Sequence, residues 1–221
     1  MKRQIAPAIL VKDKDEFKRR IEKVKPYVSR VQIDIMDGKF VPNRTLQPID
    51  MDLSLLEDLE AEYHLMVENP LEYVTQIGKE GPMHTYQFHI ESFKSKEEIE
   101  AAISHVKKIS SNIFLALSPD TPASAVEPYL QKIDGILVMT VYPGFSGQSY
   151  LEKMDDKIRA LRKMAPPLPI EVDGGITKQT IAHASAAGAT LFGAANAIFA
   201  AEDAGSAIEE LLEIANSVQS E

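Results

Sequence analysis

The chain contains no cysteine. Disulfides, thiolate metal sites and cysteine nucleophiles are therefore excluded, and the redox compartment leaves no mark on the composition. No apolar run approaches the roughly 20 residues needed to span a bilayer. The opening MKRQIAPAILVKDKDEF turns charged again too soon to hold the apolar core of a signal peptide. Positive charge is in deficit, with 24 Lys and Arg against 33 Asp and Glu, a formal net charge of −9. Such a surface repels nucleic acid and anionic membranes at long range, so neither is expected as a partner, although a local basic site is compatible with it. A Pro/Ser/Gly-rich linker and low-complexity tracts are missing too, so residues 1–221 read as one domain. What remains is a cytoplasmic globular enzyme, with 221 residues and 44% hydrophobic content enough to build a large α/β core.

Eight short β-branched or apolar runs lie at 4–10, 30–37, 62–68, 85–91, 112–118, 135–141, 168–174 and 190–196. Amphipathic, helix-patterned segments fill the gaps at 15–27, 53–61, 70–80, 95–109, 123–133, 150–164, 177–188 and 206–218. Ser95 precedes Glu98 by three residues, the spacing of a capping box, and TPAS and TKQT read as further helix starts. Regular βα alternation implies a parallel sheet, and eight units are the count that closes a (β/α)8 TIM barrel. The competing open, doubly wound sheet lacks its usual G-x-G-x-x-G after the first strand.

The second strand and its loop, VQIDIMDGKFVPN, carry two aspartates. Alternation along a strand puts Gln32, Asp34 and Met36 on one face and Ile33 and Ile35 on the other, toward the helices. A closed barrel turns the polar face inward. Asp34, His64 and Asp173 then all fall near the carboxyl ends of strands, where such barrels assemble their active sites. Each has a plain structural reading: a loop-capping aspartate, a hydrogen-bonded core histidine, the first residue of a DGG turn. Together they form a cluster that needs a cation or substrate to offset its desolvation and repulsion. Asp37 belongs to the turn around Gly38, and His89 is a weaker site candidate. Late in the chain, TVYPGFSGQSY reads as a flexible loop in which Gly144 and Gly147 admit close backbone approach. VDGGIT, with Gly174 and Gly175, and FGAANAIF follow the last two strands, the barrel quadrant that often binds phosphate through loop amides and a helix N-terminus.

These segments resemble the ribulose-phosphate 3-epimerases over nearly the whole chain. IAPAIL, IDIMDGKFVPN, HLMVENP, FHIES, LALSPDTP, VMTVYPGFSGQSYLEKMDDKIRAL, IEVDGGI and AGATLFGAANAIF stand in that family's order. The resemblance implies a (β/α)8 barrel that interconverts ribulose 5-phosphate and xylulose 5-phosphate through an enediolate; hexulose-phosphate epimerases look similar. It implies that Asp34 and Asp173 are the proton-transfer pair, and that Asp34, His64 and Asp173 hold a divalent metal such as zinc, manganese, iron or cobalt. It makes Met36, Met66 and Met139 the thioether surroundings of the reacting carbons, although adaptable core filling explains methionines equally well. It also implies a phosphorylated ketose as partner and association into a homo-oligomer.

The sequence departs from the family pattern at three places. Gln32 stands where the family has its first histidine ligand, so Gln32 is a further, weaker candidate for the metal. Ala8 replaces a substrate-contacting serine. Ala195 and Asn196 replace a Gly-Ser pair, adding a methyl group near the phosphate position and an amide that could donate to it. Two alternatives stay open: an epimerase of another pentulose or hexulose phosphate, and a regulatory phosphosugar-binding paralogue with impaired turnover. A related decarboxylase or aldolase expects a lysine within Asp-x-Lys-x-x-Asp, and IDIMD has methionine there.

Overall fold

The computed structural model describes residues 2–218. Eight parallel strands close a barrel in chain order: β1 (Gln4–Ile9), β2 (Arg30–Met36), β3 (Glu60–Met66), β4 (His84–His89), β5 (Asn112–Leu117), β6 (Gly135–Met139), β7 (Ile170–Asp173) and β8 (Leu191–Ala194). β8 returns to β1 with Leu191 beside Gln4 and Ala194 beside Pro7. Closure leaves no sheet edge unpaired, and it makes one face of every strand an interior.

The outer ring contains α1 (Lys14–Val24), α2 (Pro70–Ile77), α3 (Lys96–Lys108), α4 (Met154–Met164), α5 (Lys178–Ala186), the single-turn α6 (Asn196–Phe199) and α7 (Ala204–Ser217). α1 illustrates how sequence dictates this packing. Asp13 Oδ1 accepts from the Asp15 and Glu16 amides at 3.1 and 2.9 Å, satisfying donors that the first turn leaves open. Phe17, Ile21 and Val24, on one stripe of the helix, are buried in the core that also holds Ile33 and Ile35. Each such side chain contributes roughly 1.5–3 kcal/mol of apolar burial.

The helical expectation fails at two crossovers. Residues 53–61 give only a 3₁₀ turn, Leu53–Leu56, before β3 begins at Glu60. Asp58 there has φ 71°, a left-handed conformation that ends any helix. Residues 123–133 form a 3₁₀ segment, Ala123–Tyr129, because Pro128 lacks the N–H an α-helix needs. The Ser95 cap is also only half a capping box. Ser95 accepts from the Glu98 amide, but the Glu98 carboxylate takes the Lys94 amide at 2.8 Å rather than that of Ser95. The reciprocal box forms instead at Thr177 and Thr180.

Candidate active site

The interior face of the barrel carries buried polar side chains on β2, β3, β4 and β7. β2 and β3 align in register, placing Gln32 beside Glu62, Asp34 beside His64 and Met36 beside Met66. β7 sets Asp173 between Met139 of β6 and Gly193 of β8. Gln32 is fully buried, as are His64 and His89, and Asp34 is nearly so. Ligand atoms of Asp34, His64 and Asp173 all lie within 4.8 Å of one another, making the predicted cluster a real one.

His64 Nδ1 is 3.1 Å from Asp34 Oδ1 and 3.3 Å from Asp173 Oδ2. Burial works against a charged imidazole, but hydrogen bonds to Asp173 and Asp34 and their charges outweigh it, pushing the His64 pKa up to about 9. Burial and the neighbouring Asp34 charge raise the Asp173 carboxyl, with His64 and Gln32 opposing them. The Gln32 carboxamide nitrogen donates to Asp34 Oδ1 at 2.7 Å and to Asp173 Oδ2 at 3.0 Å, and stands 3.4 Å from His64 Nδ1. It therefore points into the space the three ligand atoms share. Its Oε1 is buried without a hydrogen-bond partner. Only the absence of a side chain at Gly193 leaves room for it: a Cβ there would sit 2.9 Å from Gln32 Oε1 and 3.1 Å from Asp173 Oδ1.

A cleft of about 790 Å³, its open mouth included, covers this cluster. Asp34, Asp173, Ala8, Met36, Met66 and Met139, from the strands, are among its lining, and so are Gly144, Gly147, Gly174, Gly175, Ala195 and Asn196, from the segments that follow strands. Every substrate-contact candidate read from the sequence thus meets in one cavity. The 140–150 loop, expected to be flexible, is braced: Gln148 Nε2 donates to the carbonyls of Tyr142 and Phe145 at 2.7 and 2.9 Å, and Asn43 Nδ2 donates to that of Gly144 at 2.8 Å. Gly175, at φ 65°, packs so closely that a Cβ would lie 2.5 Å from the Tyr150 amide nitrogen. α6, Asn196–Phe199, is a single turn, too short to offer the helix-terminal anion site expected after β8. Asp37 serves the loop as anticipated, its carboxylate accepting from the amides of Lys39, Phe40 and Glu68.

One feature escaped the sequence reading, and a second, around the weaker candidate His89, was read without its partner Glu91. Below the cluster lies a second polar layer, where Arg30 pairs with Glu60 and Glu62, and Gln87 donates to Glu171. Burial and the proximity of Glu62 raise the Glu171 carboxyl well above the usual range, and Glu171 Oε1 and Glu62 Oε2 are buried without a hydrogen-bond partner. The period-2 polar run Arg30, Gln32, Asp34, repeated as Glu60, Glu62, His64, was the available signal. Beside the cluster, His89 Nε2 is 2.9 Å from His64 Nε2, and His89 Nδ1 is 3.3 Å from Glu91 Oε2. Burial, helped by the charge of His64, lowers the His89 pKa against the opposing pull of Glu91. Burial alone would raise Glu91, but the hydrogen bond from His89, with donation from Thr121 and Ser118, holds it below the usual carboxylate range.

Among the described residues, no helix is long and apolar enough to cross a membrane. The sequence model of the Ribulose-phosphate 3 epimerase family matches residues 4–199. A ribulose-phosphate 3-epimerase of Methanocaldococcus jannaschii is 38% identical over 218 residues, covering 96% of this chain and 91% of that protein. The cytoplasmic isoform of the enzyme from Oryza sativa subsp. japonica is 37% identical, covering 94% and 92%. A solved structure of KGPDC from Streptococcus mutans superposes with a TM-score of 0.72 over 99% of both chains; at 13% identity it speaks to the fold alone. With sequence, barrel and coverage in agreement, the chain belongs to the ribulose-phosphate 3-epimerase family, a family of isomerases.

Proposed function

We propose that this protein is a ketose-phosphate 3-epimerase that interconverts D-ribulose 5-phosphate and D-xylulose 5-phosphate in the cytoplasm, its whole site carried by one barrel domain. The observation that carries this reading is the meeting of Asp34 and Asp173 in the lining of one cleft, with ligand atoms no more than 4.8 Å apart. Inverting a carbon beside a carbonyl requires one group to take its proton and another to return one on the opposite face. Two carboxylates brought together from separate strands, β2 and β7, are suited to that exchange. Met36, Met66 and Met139 supply an apolar lining that limits water around the reacting carbons. Ala8 leaves open the volume a larger side chain would fill. The phosphate end lies against Gly147, Gly175 and Asn196, where loop amides and a carboxamide N–H suit an anion.

The residues also fit a divalent metal. Asp34, His64 and Asp173 offer two oxygens and a nitrogen, and the orphaned Gln32 Oε1 becomes a fourth donor if the carboxamide turns over. Such an ion, when bound, supplies positive charge for the oxygen that becomes negative in the enediolate. Gln32 Nε2, directed among the same three atoms, is the one feature that favours a second reading: a phosphosugar-binding protein with impaired turnover.

The deciding experiment is exchange of the substrate α-proton with solvent deuterium, followed by NMR on purified protein supplied with Mn²⁺, Fe²⁺, Co²⁺ or Zn²⁺. Exchange on ribulose 5-phosphate, abolished in Asp34→Asn and Asp173→Asn, upholds the epimerase. Exchange only on another pentulose or hexulose phosphate redirects its substrate. Binding without exchange on any ketose phosphate leaves the regulatory reading.

A further inference from the structure

We propose that Glu91 is a positioning residue: through His89 it fixes the ring tautomer of His64, so that a neutral His64 keeps the lone pair of Nδ1 directed toward Asp34 and Asp173. This inference rests on the reading of His64 as a metal ligand and goes beyond it, because Glu91 touches none of the three ligand residues directly.

The argument is one of donors and acceptors. The Glu91 carboxylate accepts from the Ser118 amide at 2.9 Å and from the Thr121 hydroxyl, so its surroundings are built from donors. An ionised carboxylate has nothing to donate, and His89 Nδ1, 3.3 Å away, must therefore carry the hydrogen of that contact. Ser118 Oγ, 3.4 Å from the same nitrogen, can accept from it as well. In a neutral His89 the hydrogen on Nδ1 leaves Nε2 as an acceptor. That nitrogen faces His64 Nε2 at 2.9 Å, and a contact so short requires one hydrogen between the two, supplied by His64. With Nε2 protonated, a neutral His64 has its lone pair on Nδ1.

The opposite tautomer would suit the site better if no cation were ever to enter. Nδ1–H could donate to Asp34 at 3.1 Å, whereas a lone pair there faces two carboxylate oxygens. A charged His64 carries a hydrogen on both nitrogens; the chain from Glu91 fixes the one on Nε2, so the proton that leaves for a cation is the one on Nδ1. Water cannot relieve the arrangement, since both rings are fully buried and Phe40 packs over His89 with ring centroids 5.0 Å apart. Hydrogen-bonded partners of this kind set ligand orientation and basicity, and their loss typically costs about 10–100-fold in metal affinity.

The test uses ¹⁵N NMR of the imidazole rings, with and without Zn²⁺, and Zn²⁺ affinity by chelator competition, in the wild type, Glu91→Gln and Glu91→Asp. Expected are His89 as the Nδ1–H tautomer, a zinc affinity roughly 10–100-fold lower in Glu91→Gln, and retention of the Nδ1–H form in Glu91→Asp, which still only accepts. An Nε2–H tautomer for His89 in the wild type overturns the proposal. So does a Glu91→Gln variant that binds Zn²⁺ as the wild type does. If the wild type takes no Zn²⁺, the metal reading fails by itself, and the His89 tautomer in the metal-free protein still decides whether Glu91 orients the pair. Should Glu91→Gln not fold, the wild-type spectrum gives the same decision.

Discussion

Gln32 Nε2 lies 3.0 Å from Asp173 Oδ2 although 141 residues separate the two in the chain. A neutral amide has thus been placed among acidic groups where the family's sequence pattern puts a histidine. Two consequences compete: the amide donates to both carboxylates and steadies them, and it occupies space a cation would need. Turning it over resolves the conflict only at the expense of those hydrogen bonds, each worth about 1.5–3 kcal/mol when the acceptor is charged.

Gln32→His is therefore expected to tighten binding of Zn²⁺ or Co²⁺ by at least tenfold, since imidazole is the better ligand for either. Metal titration against a competing chelator measures it. Unchanged affinity would place Gln32 outside the coordination sphere.

Removing either carboxylate should be far more costly to turnover than to binding. Asp34→Asn and Asp173→Asn are each expected to lower exchange by roughly 10²–10⁴-fold, the usual contribution of a positioned acid or base. Affinity for inorganic phosphate should stay within a few-fold, because the proposed phosphate contacts, Gly147, Gly175 and Asn196, do not include either acid. Parallel loss of both properties would argue that the substitutions disturb the fold.

The metal-free protein should lose stability in mildly alkaline solution. His64 is raised from an ordinary 6.5 to about 9, so its charged form contributes fully below pH 6.5 and the contribution vanishes as pH rises through 9. The amount is on the order of 3 kcal/mol from the size of that shift. A metal must displace the same proton, so zinc affinity should climb with pH up to about 9 and level off beyond it. Thermal melts of chelated and zinc-saturated protein across pH 6–10 (a range of about four units) separate the two effects; the saturated form should lack the alkaline loss.

Gly175→Ala should destabilise the phosphate end without touching the acids. Its φ of 65° disfavours a side chain, and the new Cβ would lie 2.5 Å from the Tyr150 amide nitrogen, so backbone must move. A penalty of about 2–4 kcal/mol combines the strain and the overpacking. Denaturant unfolding gives the stability, and phosphate titration should show weakened binding.

Much of this protein was determined by local sequence. All eight strands are legible because β-branched runs and turn residues act over a few neighbours, and the polar alternation of Gln32, Asp34 and Met36 follows from the pleat alone. Helices with a clear apolar stripe and a capping residue, such as α1 and α3, are legible for the same reason. The 3₁₀ crossovers were not, since 53–61 and 123–133 have the composition of helices and only Asp58 and Pro128 break them. What the tertiary structure alone decided is every relation that depends on closure. That Gln32 turns its amide between Asp34 and Asp173, that Gly193 makes the room, and that Glu91 reaches His64 through His89 are facts of strand register around a ring. Linear sequence carries no distance between strands that are neighbours only across the interior, because those separations are set when the last strand pairs with the first.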